Sequence, residues 1–346
     1  MNGNRDRVSS LTRRLRAVFC AIAASACFAT WAWAGPLTLF VSDGVDDVIH
    51  RYNAVTGAPI APDIPLLGVT GVAIGPGGDL YAVSNNPSQV YRYDSMTGAL
   101  KGVNPFVPFN GQNDGHDVQG PEGMAFAPNG NLYIADVTLS NVHEYDTSGN
   151  SVASLGADAS AFFSQPTDVA FSSAGDLYVV NPGFANVLKS VGGTQQFAAF
   201  FGPETGGLIN PGALTFGPDG KLYVLDVSTS TGPAIRRYTA AGAPDGNVAD
   251  PNDATVISYS TSLFQPNDIA FGPDGKLYVS GLDLGTAMGQ VLRYLPNGTA
   301  DGALVAVGGN YPTFMAFSVP EPATIALAAL AALGVAEMVR RRRSRR

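Results

Sequence analysis

The chain has 346 residues with 41 Gly and 24 Pro, and only 14% of it is charged. That profile fits short strands joined by tight turns and leaves little room for a second fold beside a repeated one. The segment between the two unusual ends, residues 35–318, carries nine Lys and Arg against 25 Asp and Glu, a net charge of −16, which excludes nucleic acid and other polyanions as partners.

Arg5, Arg7, Arg13, Arg14 and Arg16 precede the apolar run 17–33, which closes on Ala32-Trp33-Ala34. This is the layout of a secretory signal peptide over 1–34, cut by signal peptidase after Ala34; Arg13-Arg14 alone is ordinary for the basic region of such a leader. Cys20 and Cys27 are the only cysteines and both lie in the leader. The mature protein therefore has no disulfide and no thiolate site.

From residue 37 onward one hairpin recurs. Its clearest copy is Asn267-Asp268-Ile269-Ala270-Phe271-Gly272 followed by Pro273-Asp274-Gly275-Lys276-Leu277-Tyr278-Val279-Ser280. Ile269 and Phe271 alternate as a half-buried strand does, Pro-Asp-Gly supplies a type I turn with Gly in the left-handed position, and Leu277-Tyr278-Val279 returns as a second strand. Leu-Tyr pairs repeat at 80–81, 132–133, 177–178, 222–223 and 277–278, so successive tyrosines are 52, 45, 45 and 55 residues apart. Each period continues with a third strand, such as Val90-Tyr91-Arg92-Tyr93 or Ile235-Arg236-Arg237-Tyr238, and a weaker fourth, as at 151–155, 196–201, 255–259 and 303–307. Four strands per period of this size predict the blades of an all-β propeller.

The ends set the count. Leu37 to Ser42 reads as a second strand with no first strand before it, and Tyr311 to Ser318 reads as a first strand with no second after it. Joined, they make a sixth blade and leave the circle without a free edge.

Beyond the ring, Val319-Pro320-Glu321-Pro322 leads into an apolar stretch, 323–339, and then Arg340-Arg341-Arg342-Arg343-Ser344-Arg345-Arg346. The stretch is predicted to be a transmembrane helix of roughly 25 Å, with the arginines kept in the cytoplasm. The tail 319–346 resembles the PEP-CTERM sorting signal of Gram-negative bacteria. The resemblance implies processing near Pro320-Glu321-Pro322 by an exosortase, transient anchoring in the inner membrane, and delivery of the body to the cell surface or extracellular matrix. Matrix polysaccharide or matrix proteins are then the expected partners.

The body, with copies of Pro-x-x-hydrophobic-Ala-Phe-x-Pro-Asp-Gly-x-Leu-Tyr-Val-x-Asp, resembles NHL-repeat propellers and the six-bladed regucalcin and gluconolactonase group. That fold carries hydrolases, lyases and binding scaffolds alike. The resemblance implies that the loops before strand one and after strand two open on one face around a central channel. On it would lie Asp43, Asp46, Asp47, Asn85, Asn86, Asp136, Asn181, Asp226 and Asp283, together with Thr70, Glu122, Thr167, Asp168, Gly212, Asn267, Asp268 and Thr313.

The regucalcin-like metal site uses one Glu and several Asn or Asp just before strand one. Glu122 and Asn267, with the adjoining Asp268, match it as Ca²⁺ ligands, while Thr70, Thr167, Gly212 and Thr313 depart from it. For acid-base chemistry, His116 in Asn113-Asp114-Gly115-His116-Asp117 and Asp168 are the candidates; His50 and His143 fall in third strands. The expected activity is that of an exported binding or scaffold module, with a Ca²⁺-dependent lactonase-like hydrolase as the alternative.

Overall fold

The structure is a computed structural model that describes residues 37–108, 117–156, 162–191, 196–202, 205–246, 250–262, 264–306 and 311–318. The signal peptide, the sorting tail with Pro320, Glu321 and Pro322, and His116 lie outside the described residues. Among the described residues no helix is long and apolar enough to cross a membrane.

Residues 37–319 form one compact unit built of six antiparallel sheets. Blade one joins the two ends: Pro312–Ser318 (β23) pairs with Thr38–Asp43 (β1), which continues to Val48–Asn53 (β2) and Ile64–Pro65 (β3). The register sets Thr38 opposite Ser318, Leu39 opposite Phe317 and Val41 opposite Met315. Blade two is Val69–Ile74 (β4), Leu80–Asn85 (β5) and Ser88–Tyr93 (β6); blade three is Pro121–Phe126 (β7), Leu132–Asp136 (β8), Asn141–Tyr145 (β9) and Ser151–Ser154 (β10). Blade four comprises Asp168–Phe171 (β11), Leu177–Asn181 (β12), Asn186–Ser190 (β13) and Phe197–Phe201 (β14). Blade five comprises Pro211–Phe216 (β15), Leu222–Asp226 (β16), Ala234–Tyr238 (β17) and Thr255–Ser258 (β18). Blade six runs through Phe264–Phe271 (β19), Leu277–Asp283 (β20), Met288–Tyr294 (β21) and Ala300–Ala306 (β22).

The hairpin turns have the predicted geometry. Gly275 sits at φ +75°, its N–H reaches Gly272 O at 2.9 Å, and Gly272 N–H reaches Lys276 O at 2.9 Å.

Blade two departs from four strands. Among the described residues its outer edge has only isolated bridges, Val90 to Val107 and Tyr93 to Leu100. Between them the Asn104 side chain does the work of a peptide group: Arg92 N–H donates to Asn104 Oδ1 at 2.8 Å and Asn104 Nδ2 donates to Arg92 O at 3.2 Å. A side-chain amide thus satisfies the edge that a fourth strand covers elsewhere.

The core lies between the blades, in six apolar clusters, one at each seam. Alternation along strand two explains this, because successive side chains point to opposite faces. Leu222 and Val224 pack with Tyr178 and Val180 of blade four, whereas Tyr223 and Leu225 pack with Ile269, Leu277 and Val279 of blade six. The repeated tyrosine meets the strand-one phenylalanine of the following blade in five seams. The pairs are Tyr81–Phe126, Tyr133–Phe171, Tyr178–Phe216, Tyr223–Phe271 and Tyr278–Phe317, with ring centroids 4.8–5.0 Å apart. Such tilted or edge-on pairs add about 0.5–1.5 kcal/mol beyond the area they bury.

Ring closure uses the same contacts. Met315 packs with Leu39, Val41, Tyr278 and Val291, and Ala316 with Phe40 and Val72. Deleting residues 311–318 removes a whole inner strand; since one buried Phe lost costs about 3–5 kcal/mol, the calorimetric midpoint should fall by roughly 10–20 °C. An unchanged melting curve would contradict closure by this strand.

Candidate functional site

In or just before the first half of each innermost strand stands one residue of a common set at the mouth of the central channel: Thr70, Glu122, Thr167, Gly212, Asn267 and Thr313. All except Thr70 line a single cavity of about 480 Å³, walled further by Val227, Thr229, Phe264, Gln265, Leu284 and Tyr311. The residues that the sequence placed just before strand one therefore do converge.

Much of their hydrogen-bonding capacity is already used between blades. Thr70 Oγ1 donates to Pro121 O at 2.8 Å, Thr167 Oγ1 to Gly212 O at 2.8 Å, and Asn267 Nδ2 to Pro312 O at 2.7 Å. Each bond ties one inner strand to the next around the circle.

One residue further along lie Gly71, Gly123, Asp168, Ala213, Asp268 and Phe314. Asp168 Oδ2 accepts Leu214 N–H at 2.9 Å from blade five and Oδ1 accepts Val169 N–H at 2.8 Å, while Asp268 Oδ2 accepts Met315 N–H at 2.8 Å from blade one. Both are buried, at 6% and 5% exposed. Asp168 needs its neighbour to be glycine, because a Cβ on Gly123 would stand 2.2 Å from Asp168 Oδ1.

Burial pushes these carboxyls upward. The Glu122 carboxyl rises to about 7, from desolvation and then the charge of Asp136. Asp168 also rises to about 7, mainly by desolvation, with Glu122 adding repulsion against two backbone hydrogen bonds. Asp268 moves up through burial first and Asp168 second. Glu122 is the acid that faces the cavity.

A Ca²⁺ takes six to eight oxygens, and this mouth offers it the Glu122 carboxylate and the Asn267 side-chain oxygen, with the Asp268 carboxylate turned to the Met315 amide. The residues present do not fit a complete Ca²⁺ centre in the channel.

The acids at the end of strand two behave differently from what their spacing suggests. Asp43, Asp136, Asn181 and Asp226 are fully buried and hold the loops that lead into strand one. Asp136 accepts Gln119 N–H at 2.6 Å and Gly120 N–H at 3.1 Å; Asp226 accepts Ile209 N–H at 3.1 Å and Asn210 N–H at 3.0 Å; Asn181 Oδ1 accepts Ser164 N–H at 2.6 Å. Asp43 Oδ2 does the same for Tyr311 N–H at 3.1 Å. Asp283 caps its own turn at Gly285 and Thr286, and Asp47 Oδ1 accepts Gly68 N–H at 2.6 Å. Asn85 and Asn86 remain exposed. No repeated position announces the cavity's other polar wall, where Gln265 Nε2 donates to Tyr311 Oη at 3.1 Å; these residues sit outside the repeated motif.

Against known proteins, residues 318–343 match the PEP-CTERM protein-sorting motif, and residues 272–303 match a beta-propeller domain of unknown function, DUF5122. The chain is a six-bladed propeller that carries a PEP-CTERM sorting signal. No curated protein matches it. Among solved structures, a chain of a nidogen/laminin complex superposes with a TM-score of 0.61 at 14% identity, over 82% of this chain and 99% of that one. A virginiamycin B lyase from Staphylococcus aureus, solved with quinupristin, gives 0.52 at 15% identity over 83% and 92%. A calcium-binding regucalcin from Agrobacterium tumefaciens gives 0.51 at 17% identity over 71% and 81%. At these identities the likeness is one of fold.

The raised Glu122 carboxyl has a pH consequence. Its penalty is absent below the unfolded value near 4.5, grows as pH rises, and is complete above about 7, so it lowers stability by up to about 3 kcal/mol across that window. Glu122→Gln should remove this fall, melting above the parent at pH 8 and level with it at pH 4. Parallel curves for the two proteins at both pH values would refute the burial argument.

Proposed function

We propose that the protein is an exported binding module, sorted through its PEP-CTERM signal to the cell surface or extracellular matrix, which takes its ligand in the cavity at the channel mouth. The observation that carries this reading is the state of the mouth's polar groups. Thr167 and Asn267 donate to the scaffold, Asp168 and Asp268 are turned into the wall, and Glu122 is left as the cavity's carboxyl, with a pKa near neutrality. Around them stand Val227, Phe264, Leu284 and Phe314. A few polar groups on an apolar wall suit an uncharged ligand with apolar faces, and the acidity of the body repels polyanions. A segment of neutral matrix polysaccharide or of a matrix protein meets those terms. The neighbour from a nidogen/laminin complex supports a propeller of this shape engaging a protein partner.

A second reading rests on Glu122 alone. A carboxyl near 7 in a cavity is suited to general acid or base work, as in a hydrolase. The two readings separate in one assay series. The protein is expected to retain neutral polysaccharide or matrix protein and to lose about ten-fold in affinity, about 1.4 kcal/mol, on Phe264→Ala, with no turnover on a panel of lactones and esters. Hydrolysis that needs Ca²⁺, stops in chelator and stops again in Glu122→Ala would overturn the binding reading.

A further inference from the structure

Blades one, three and five share a pairing that the other three lack. Strand two ends in Asp43, Asp136 or Asp226, and the residue two places earlier, Val41, Ile134 or Val224, stands opposite His50, His143 or Arg236 on strand three. The equivalent positions in blades two, four and six are Ser84, Asn181 and Gly281, and there the strand-three residue is Tyr91, Leu188 or Leu292. An aspartate at this buried position is accompanied by a base, as an ionised carboxylate in a low-dielectric seam requires.

In blade five the base is a permanent cation. Arg236 Nε donates to Asp226 Oδ2 at 2.9 Å, and its Nη1 donates to Gly206 O at 3.0 Å and Thr255 Oγ1 at 2.8 Å. In blade three, His143 Nε2 lies 3.4 Å from Asp136 Oδ2 without a hydrogen bond, its Nδ1 lies 3.1 Å from Ser154 Oγ, and among the described residues no second carboxylate joins the pair.

Blade one is built otherwise. His50 is 9% exposed, and its Nδ1 lies 3.0 Å from Asp63 Oδ2, which places the ring proton on that side. Its Nε2 is buried without a hydrogen-bond partner. A nitrogen of His50 and one oxygen each from Asp43 and Asp46 fall within 4.8 Å of one another. With Nδ1 committed to Asp63, Nε2 is the atom left to meet the two carboxylates. Two carboxylate oxygens and the uncommitted ring nitrogen then face one another, where blade five places the Arg236 guanidinium.

We propose that blade one binds a divalent transition-metal ion, with Zn²⁺ the best match, through Asp43, Asp46 and His50 Nε2, water completing the coordination. The imidazole favours such an ion over Ca²⁺. Ligand atoms at about 2.0–2.2 Å from Zn²⁺ stand at most about 4 Å apart, a closure that the exposed Asp46 can supply by changing rotamer. Asp63 has the role that a carboxylate takes behind a metal-bound imidazole, fixing its tautomer and orientation. Asp43 is held rigid by Val45 N–H and Asp46 N–H at 3.0 Å on one oxygen and by Tyr311 N–H on the other. A crevice of about 470 Å³ lined by His50, Tyr52, Asp63 and Leu304 brings solvent to the histidine.

Because Tyr311 leads into the strand that closes the ring, metal occupancy and ring closure share Asp43. Zn²⁺ binding therefore stabilises the native propeller by mass action.

The test is a Zn²⁺ titration of the full chain, purified without a histidine tag and stripped with chelator, followed by calorimetry and native mass spectrometry. The expected result is one Zn²⁺ per chain and a raised melting midpoint. Binding is expected to be lost in His50→Gln, kept in His143→Gln, and weakened about 10- to 100-fold in Asp63→Asn. Asp46→Asn, at an exposed turn position that leaves the fold intact, is expected to weaken it at least as much. Failure of the parent protein to bind Zn²⁺, or undiminished binding in Asp46→Asn or in a folded His50→Gln, would overturn the proposal. None of these readouts depends on the channel-mouth ligand.

Discussion

A blade of this protein has two apolar faces and can cover neither by itself. The residues that alternate along strand two serve two different seams, so that Leu222 belongs to the interior shared with blade four and Tyr223 to the one shared with blade six. Burial of each sheet therefore depends on both neighbours, and the whole chain of dependence ends where Thr38–Asp43 meets Pro312–Ser318. The circle is the smallest unit that satisfies every face, because an open row of five blades would leave an apolar face at each end.

That constraint reaches inward to the channel. Packing six inner strands around one axis brings backbone so close to backbone that a Cβ on Gly71 would lie 2.1 Å from Glu122 O, and one on Gly123 2.2 Å from Asp168 Oδ1. Apart from Gly123 N–H to Thr167 O at 2.9 Å, side chains provide the hydrogen bonds described between adjacent inner strands. Thr70, Thr167 and Asn267 give hydrogen bonds to carbonyls of the next blade; Asp168 and Asp268 take hydrogen bonds from its amides. The buried carboxyls are thus explained by the ring's need for acceptors. Their raised pKa values are the electrostatic cost of meeting that need in a desolvated place.

Much of this was legible in the order of residues. Pro-Asp-Gly between alternating segments specifies a hairpin locally, and the unmatched strand at each end of the body specifies how the circle closes, since both signals are carried by residues near one another in sequence or by simple counting. Blade two was less legible. Its edge is finished by the Asn104 side chain, and no periodicity announces an amide that stands in for a strand. Glu122 and Asn267 sit at a fixed offset from the motif, which is why they share one cavity, but the direction of a carboxylate was not readable. Whether Asp226 faces a ligand or clamps Ile209 and Asn210 is decided by where a preceding loop of different length comes to rest.

A repeat protein carries comparisons within itself that a single-copy fold does not. Six versions of one environment show which residues vary together for physical reasons: Asp226 stands with Arg236, Asp136 with His143, and Asn181, which bears no charge, with Leu188. A nitrogen base stands opposite where the strand-two residue is an acid, and an apolar side chain where it is not. Blade one keeps the acid, but its histidine turns one nitrogen to Asp63 and leaves the other without a hydrogen-bond partner beside two carboxylates. Blade one is also the blade assembled from both ends of the body, where a cation shared by Asp43, Asp46 and His50 would reinforce the seam that the rest of the circle relies on.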